Sequence, residues 1–252
     1  MTKVVAIANR KGGVGKTATA QALGAGLRRR GYRVLFIDLD SQSNLTDALG
    51  VDVDKVEASS LDVLEGNSEA SETILQTEGG DLLPATPQLA TADKVIDGVG
   101  KEYRLKKALQ TIARRYDYII IDTPPALGVL TINALTASNC VVIPAQADLY
   151  SLTGIEQLYS TIEAVQHYTN RKLEIDGILI TRYVARSIIS QDMRSNLEEV
   201  AGIIKSKVYT TAIRECIAVK EAQATHTDIY SYSKKSNASK DYEAFIEEFL
   251  GG

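Results

Sequence analysis

The stretch KVVAIANRKGGVGKTATAQALGAGLRRR, residues 3–30, decides the fold. It opens on an apolar, β-branched run over 3–8, crosses a loop holding three glycines and two lysines, and continues into an alanine-rich segment. That order predicts a strand, a tight loop and a helix. Consecutive backbone N–H groups converge at such a junction and the helix dipole adds partial positive charge, so the loop is an anion site. Gly12, Gly13 and Gly15 let the backbone approach a phosphate with no Cβ in the way.

Lys16 is expected to reach the β and γ phosphates of a nucleotide, and Thr17 to offer its hydroxyl to Mg²⁺. The nucleotide loop then comprises Lys11, Gly12, Gly13, Val14, Gly15, Lys16, Thr17 and Ala18. The common pattern G-x-x-x-x-G-K-[ST] has glycine where this chain has Arg10, so the loop is a variant.

Two further stretches supply carboxylates. RVLFIDLDSQSNLT (33–46) ends a strand with Asp38 and Asp40, and an extended backbone would project both toward one side. YDYIIID (116–122) ends another strand with Asp122. Acids at the carboxyl ends of strands lie where open α/β sheets bind ligands, and there they hold Mg²⁺ or orient an attacking water. Thr17, Asp38, Asp40 and Asp122 are therefore the candidate metal residues, and Lys16 and Asp40 are candidate catalytic ones, to which the family resemblance described below adds Lys11.

Apolar runs recur at 3–8, 33–38, 81–85, 116–122, 140–145, 176–181 and 208–213, most of them continuous rather than alternating, as in strands covered on both faces. Helix-like segments separate them at 16–30, 101–115, 151–168 and 187–201. The expected fold is α/β: a doubly wound, mostly parallel sheet of about seven strands flanked by helices, built as a single domain over residues 1–252. A last helix over 239–250, with Ser239 as N-cap, puts Tyr242, Phe245, Ile246, Phe249 and Leu250 on one face. Its polar side carries four acids and one base, which suits packing on the sheet better than anionic lipid. Residues 51–80 are polar and weakly periodic and receive no role.

Composition narrows the classes. No apolar run approaches the ~20 residues of a membrane span, and the chain begins in a strand without a leader pattern, so a cytoplasmic protein is expected. Cys140 and Cys216 have no ligand spacing and are expected to be buried thiols; His167 and His226 are expected to be ordinary polar residues. The net charge is −4, yet residues 182–240 hold ten Lys/Arg against six Asp/Glu, while the remainder holds eighteen against twenty-six. That asymmetry fits either a basic face for phosphate backbones or ordinary solvated helices.

Together these stretches resemble the ParA/MinD group of deviant Walker A ATPases and, within it, the ParA partition ATPases. KGGVGKT with its extra Lys11 is the signature, FIDLDSQSNLT is similar to the second motif, and IIIDTPPALGVLTINAL to the Walker B region. PAQADLYSLTGIEQL, GILITRYVARSIIS, TAIRECIAVKEA and SKDYEAF extend the likeness from about residue 3 to residue 250.

The resemblance implies an ATP- and Mg²⁺-dependent enzyme that forms a homodimer in the ATP state, with Lys11 of each subunit reaching the partner's phosphates. By position, Asp40 matches the residue that orients water and Asp38 one that shapes the metal site. It further implies non-specific DNA binding, a ParB-type centromere-binding partner, a nucleoid-associated location and a role in plasmid or chromosome segregation. Arg214 matches a DNA-contacting arginine of the family, and Arg186, Lys234 and Lys235 are further candidates. The arginines of LRRR (27–30) are expected to close their helix favourably at its negative dipole end and need not touch DNA. Ser41 and Ser43 stand where members often have proline and glycine, and Arg10 where they often have glutamine.

Rival readings are a MinD-like membrane-associated ATPase, a nitrogenase-iron-protein-like carrier, a metabolic ligase and an ATP-binding scaffold with little hydrolysis. The acidic last helix argues against the first, and two unpatterned cysteines against the second. Against the ligase stand the ParA-like stretches beyond residue 144. No N-K-x-D sequence is present, which favours adenine over guanine.

Overall fold

Seven apolar runs become seven strands, and an eighth joins them at one edge. The computed structural model describes residues 1–184 and 188–251. Its strands are β1 Lys3–Ile7, β2 Val34–Asp38, β3 Leu75–Thr77, β4 Gly80–Leu83, β5 Tyr118–Asp122, β6 Cys140–Gln146, β7 Glu174–Tyr183 and β8 Val208–Arg214. The α-helices are α1 Lys16–Arg29, α2 Asn44–Ala48, α3 Ser60–Glu65, α4 Ala70–Thr73, α5 Ala92–Val95, α6 Arg104–Gln110, α7 Val129–Ala137, α8 Leu149–Tyr168, α9 Ile188–Ile203, α10 Ile217–Ala224, α11 Ile229–Tyr232 and α12 Asn237–Gly251.

One sheet runs in the order β3-β4-β2-β5-β1-β6-β7-β8, parallel except for the β3–β4 hairpin. Alternate residues of each central strand enter opposite cores. Leu35, Ile37, Ile119, Ile121, Val141 and Ile143 face one side, among residues of α3 and α6 to α9. Val34, Phe36, Ile120 and Val142 face the other, against α1, α10 and α12. Burial on both faces is the reason these runs are continuously apolar. The register sets Ile7 and Asp38 opposite Asp122, which brings the carboxyl ends of β1, β2 and β5 level beneath the loop that follows β1.

Several boundaries differ from expectation. β3 was not foreseen: its three residues, Leu-Gln-Thr, are exposed or half-buried, and only the pairing with β4 holds them extended. The segment 101–115 is not one helix but α6 flanked by 3₁₀ turns at Lys101–Tyr103 and Ala113–Arg115. The N-cap of α12 is Ser236, whose Oγ accepts the Ser239 N–H at 3.1 Å, so Ser239 lies inside the first turn and is buried. Cys140 is buried as expected, whereas Cys216, at the N-cap position of α10, is only partly covered.

The helix α12 packs on β8 and α1 through Tyr242, Phe245, Ile246 and Phe249. Its carboxylates also finish the edge strand: Glu248 accepts the N–H groups of Thr210 and Thr211 at 2.7 and 3.1 Å, and Asp241 that of Arg214 at 3.0 Å.

Candidate active site

The loop between β1 and α1 carries Gly13 at φ 74° and Gly15 at φ 84°, left-handed conformations that strain any residue with a Cβ. Its underside is pinned to neighbouring strands. The Thr181 hydroxyl donates to Val14 O at 2.8 Å, Gln146 Nε2 donates to Gly13 O at 3.1 Å, and Asn9 Nδ2 donates to Pro144 O at 2.7 Å. Gly12 and Gly13 are exposed, so the rim of the loop faces open space.

Lys16 opens α1 and is only 7% exposed, with Nζ 3.4 Å from Lys11 O. Burial lowers its pKa, while Asp122 and Asp40 act in the opposite sense. A cation has thus been drawn into a poorly hydrated cleft beside carboxylates, where its charge acts with little screening.

Asp122 ends β5. Its Oδ2 accepts the Thr17 hydroxyl at 2.6 Å, and its Oδ1 is buried without a partner. Burial pushes its pKa up and the Asp38 charge adds to this; Thr17 and Lys16 pull it back. An orphaned buried acceptor costs about 1–3 kcal/mol, so this oxygen suits a hydrated cation at Thr17. Among the described residues no three His, Cys, Asp or Glu side chains are grouped to hold a metal by themselves. That suits Mg²⁺, which takes most of its ligands from phosphate and water.

Asp38 and Asp40 do not share the extended run expected of them, because β2 ends at Asp38 and the chain turns. Asp38 is fully buried, and both its oxygens are taken: Oδ1 accepts the Asp40 N–H at 3.0 Å, and Oδ2 accepts the Thr46 N–H at 2.9 Å and hydroxyl at 2.8 Å. Burial pushes its carboxyl up to about 6 despite those donors. Asp38 therefore shapes the turn, and Asp40 faces the cleft, with Oδ1 accepting the Gln42 N–H at 3.1 Å.

Ser43, one of the departures from the family pattern, sits at φ 52° with its hydroxyl buried and unpartnered. This explains physically why glycine suits the position. Ser43→Gly is expected to stabilise the fold by about 1 kcal/mol, since relieved strain and a removed unsatisfied hydroxyl outweigh the added chain entropy. Urea unfolding at constant m-value reads this out, and a loss of stability would contradict it.

Lys11 stands apart from Lys16. Its ammonium pairs with Asp148 Oδ2 and lies 3.2 Å from Gln146 Oε1. Asp148 also caps α8, accepting the Ser151 N–H at 3.0 Å. Burial alone would raise the Asp148 pKa, but Lys11 and the Ser151 donors hold it below the usual carboxylate range. A Cβ on Gly154 would come within 3.1 Å of Asn9 Oδ1, so the start of α8 presses closely on the loop. Sequence reasoning singled out none of Asn9, Thr46, Gln146, Asp148 or Thr181. The signal available was the run PAQAD, which ends a strand at the same sheet edge.

The cleft over the loop measures about 700 Å³ and is walled by Asp40, Pro124, Pro125, the β8–α10 turn and Tyr242. This is a size suited to a small-molecule ligand. Arg214, expected at DNA, lines this cleft, and its guanidinium forks onto Asp241 at 2.6 and 2.9 Å. Lys234 and Lys235 are exposed in the turn before α12. Arg186 lies outside the described residues. His226 hydrogen-bonds Asp47 O at 2.7 Å, and His167 stacks edge-on against Tyr168.

A family model described as an AAA domain matches residues 2–175. The sporulation initiation inhibitor protein Soj of Bacillus subtilis is 42% identical over 98% of each chain. The chromosome partitioning protein ParA of Myxococcus xanthus is 36% identical over 98% of this chain and 88% of its own. The chain belongs to the ParA family of ATPases.

A solved structure titled cobyrinic acid a,c-diamide synthase from Mycobacterium smegmatis, with bound ATP analog and magnesium, superposes with a TM-score of 0.86. It is 38% identical and covers 99% of this chain and 95% of its own. In this chain the phosphate loop has one lysine buried beside Asp122 and Asp40 and a second paired with Asp148 at the start of α8. No helix among the described residues is long and apolar enough to cross a membrane.

Proposed function

We propose that residues 1–252 act as a single deviant Walker A ATPase domain that binds Mg-ATP, dimerises in that state, associates with DNA without sequence specificity and drives plasmid or chromosome partition. A ParB-type centromere-binding partner would stimulate hydrolysis and so release the DNA-bound state. One observation carries the catalytic half: Lys16 and Thr17 line a nucleotide-sized cleft, and the Thr17 hydroxyl donates to Asp122, whose Oδ1 is buried without a partner. Names such as Soj and chromosome partitioning protein ParA, borne by relatives that span nearly this whole chain, support the partition half.

In this reading Lys16 neutralises phosphate charge within its own subunit, and Thr17 and Asp122 hold the metal, Asp122 through water. Mg²⁺ bound there supplies charge neutralisation across the β and γ phosphates. Asp40 orients the attacking water, while Asp38, occupied by Thr46 and Asp40, keeps that turn in shape. Lys11 leaves Asp148 to reach the phosphates of a second subunit, where an added cation stabilises charge developing on the transferred group. Lys234 and Lys235, with Arg186, would face DNA; Arg214 would do so only after leaving Asp241.

The deciding experiment measures binding to a duplex of arbitrary sequence with ATP, ADP or no nucleotide across a salt series, with Lys11→Ala as control. Binding that needs ATP, weakens with salt and disappears in Lys11→Ala is expected. Absence of binding in every state would overturn the DNA half and return the membrane or scaffold readings. The likeness to the mycobacterial diamide synthase structure keeps a ligase reading in view; ATP turnover without any added acid substrate separates the two.

A further inference from the structure

At the sheet edge opposite the nucleotide cleft, two arginine-rich segments far apart in sequence come together. Arg28 and Arg29 end α1 and Arg33 precedes β2, while Arg114 and Arg115 lie in the turn before β5. Because β2 and β5 are neighbours, with Val34 paired to Tyr118, the two segments are brought side by side. They border two clefts of about 970 and 620 Å³ that share Arg33 and Tyr116, and Lys106 of α6 joins them in the second.

The cations divide into committed and uncommitted. Arg33 is held by Asp117 at 2.9 and 3.1 Å, Arg28 by the carbonyls of Glu78 and Gly79, and Arg29 lies 3.7 Å from Glu243. Lys106, Arg114 and Arg115 form no ion pair among the described residues, and both arginines are exposed. Of the carboxylates along the clefts, Glu78 is exposed and the other three are engaged within the fold. Asp117 holds Arg33, Asp81 accepts the Tyr116 hydroxyl at 2.7 Å, and Asp228 caps α11. A chain of net charge −4 thus sets six cations, five of them arginines, along two adjoining clefts, and three of the six, Lys106, Arg114 and Arg115, form no ion pair among the described residues.

We propose that this edge is a docking surface for the sugar–phosphate backbone of DNA, additional to the lysines before α12. The inference rests on the DNA-association reading above and names a surface for it. Guanidinium groups grip phosphate oxygens in pairs, and contacts to phosphate carry no sequence information, which matches binding without sequence preference. The surface lies at the amino ends of β2 and β5, a strand length of about 17 Å from their carboxyl ends beside the phosphate loop. Arg28 and Arg29 keep their place at the negative end of α1 and border the larger cleft at the same time.

The test compares full-length protein with an Arg114→Ala/Arg115→Ala variant in duplex binding by fluorescence anisotropy, with ATP and with ADP, across a salt series. ATP turnover without DNA and the thermal midpoint serve as folding controls, since neither residue touches the nucleotide cleft. A roughly tenfold or greater loss of affinity near 0.1 M salt is expected, with the slope of log K against log salt shallower by about two. Lys234→Ala/Lys235→Ala in the same assay reports the other surface. If the parent binds DNA and the arginine variant binds with the same affinity and slope, the proposal is overturned while the DNA reading stands. Failure of the parent to bind in any state overturns both. Loss of binding to phosphatidylglycerol vesicles with DNA affinity intact would reassign the edge to lipid and overturn the proposal.

Discussion

Lys16→Ala is expected to lower the affinity for Mg-ATP about 100-fold, measured by calorimetry with the non-hydrolysed analogue. The size follows from burial. Lys16 is 7% exposed and sits among Asp122 and Asp40, so its ammonium meets phosphate in a cleft that excludes most water. Truncating one member of a desolvated charge pair costs ~2–5 kcal/mol, and 100-fold corresponds to ~2.7 kcal/mol. Removal does further harm, because the phosphates would then face Asp122 and Asp40 with no cation between. Lys16→Arg is not expected to restore binding, since the fork of a guanidinium does not fit where a single ammonium sits beside Lys11 O. Retention of the parent affinity in Lys16→Ala would show that the loop binds no triphosphate in the manner described.

Asp40→Ala should leave ATP binding intact, slow hydrolysis by about 100- to 10,000-fold and let the ATP-bound dimer accumulate. One Asp40 oxygen is used by the Gln42 N–H, and the side chain lines the cleft next to the phosphate loop. The other oxygen is therefore available to a water. Loss of a group that positions and deprotonates a nucleophile costs about that range in rate. Binding depends on Lys16 and the loop amides, which the substitution does not touch. Light scattering after size exclusion with ATP reads the dimer, and phosphate release reads the turnover. Hydrolysis at the parent rate would remove Asp40 from the mechanism; loss of ATP binding would make it a structural residue of the turn.

The phosphate loop, the aspartates that end β2 and β5, and seven strands were legible because each is written locally, in a run of apolar residues or a fixed spacing. What escaped depends on residues brought together from afar. Asp148 meets Lys11 only because β6 pairs in parallel with β1. Thr46 meets Asp38 only after the turn through Ser43 has closed. The three residues of β3 carry no pattern of their own, and the Arg33–Asp117 pair exists only through the β2–β5 register. The fork of Arg214 onto Asp241 has the same origin, since Asp241 stands 27 positions later and holds the Nε and Nη2 of its guanidinium.

The carboxylates that α12 lays along β8 bear on how copies of the protein can assemble. An unpaired strand edge invites another chain to add on, and such additions grow without a natural stop. Here Glu248 and Asp241 occupy outward N–H groups of β8, and the opposite margin is a strand of only three residues. Backbone pairing between copies is therefore closed off at one margin and minimal at the other. Association is left to side-chain surfaces whose fit a small molecule can alter, and an assembly built that way can be taken apart each time the small molecule is spent.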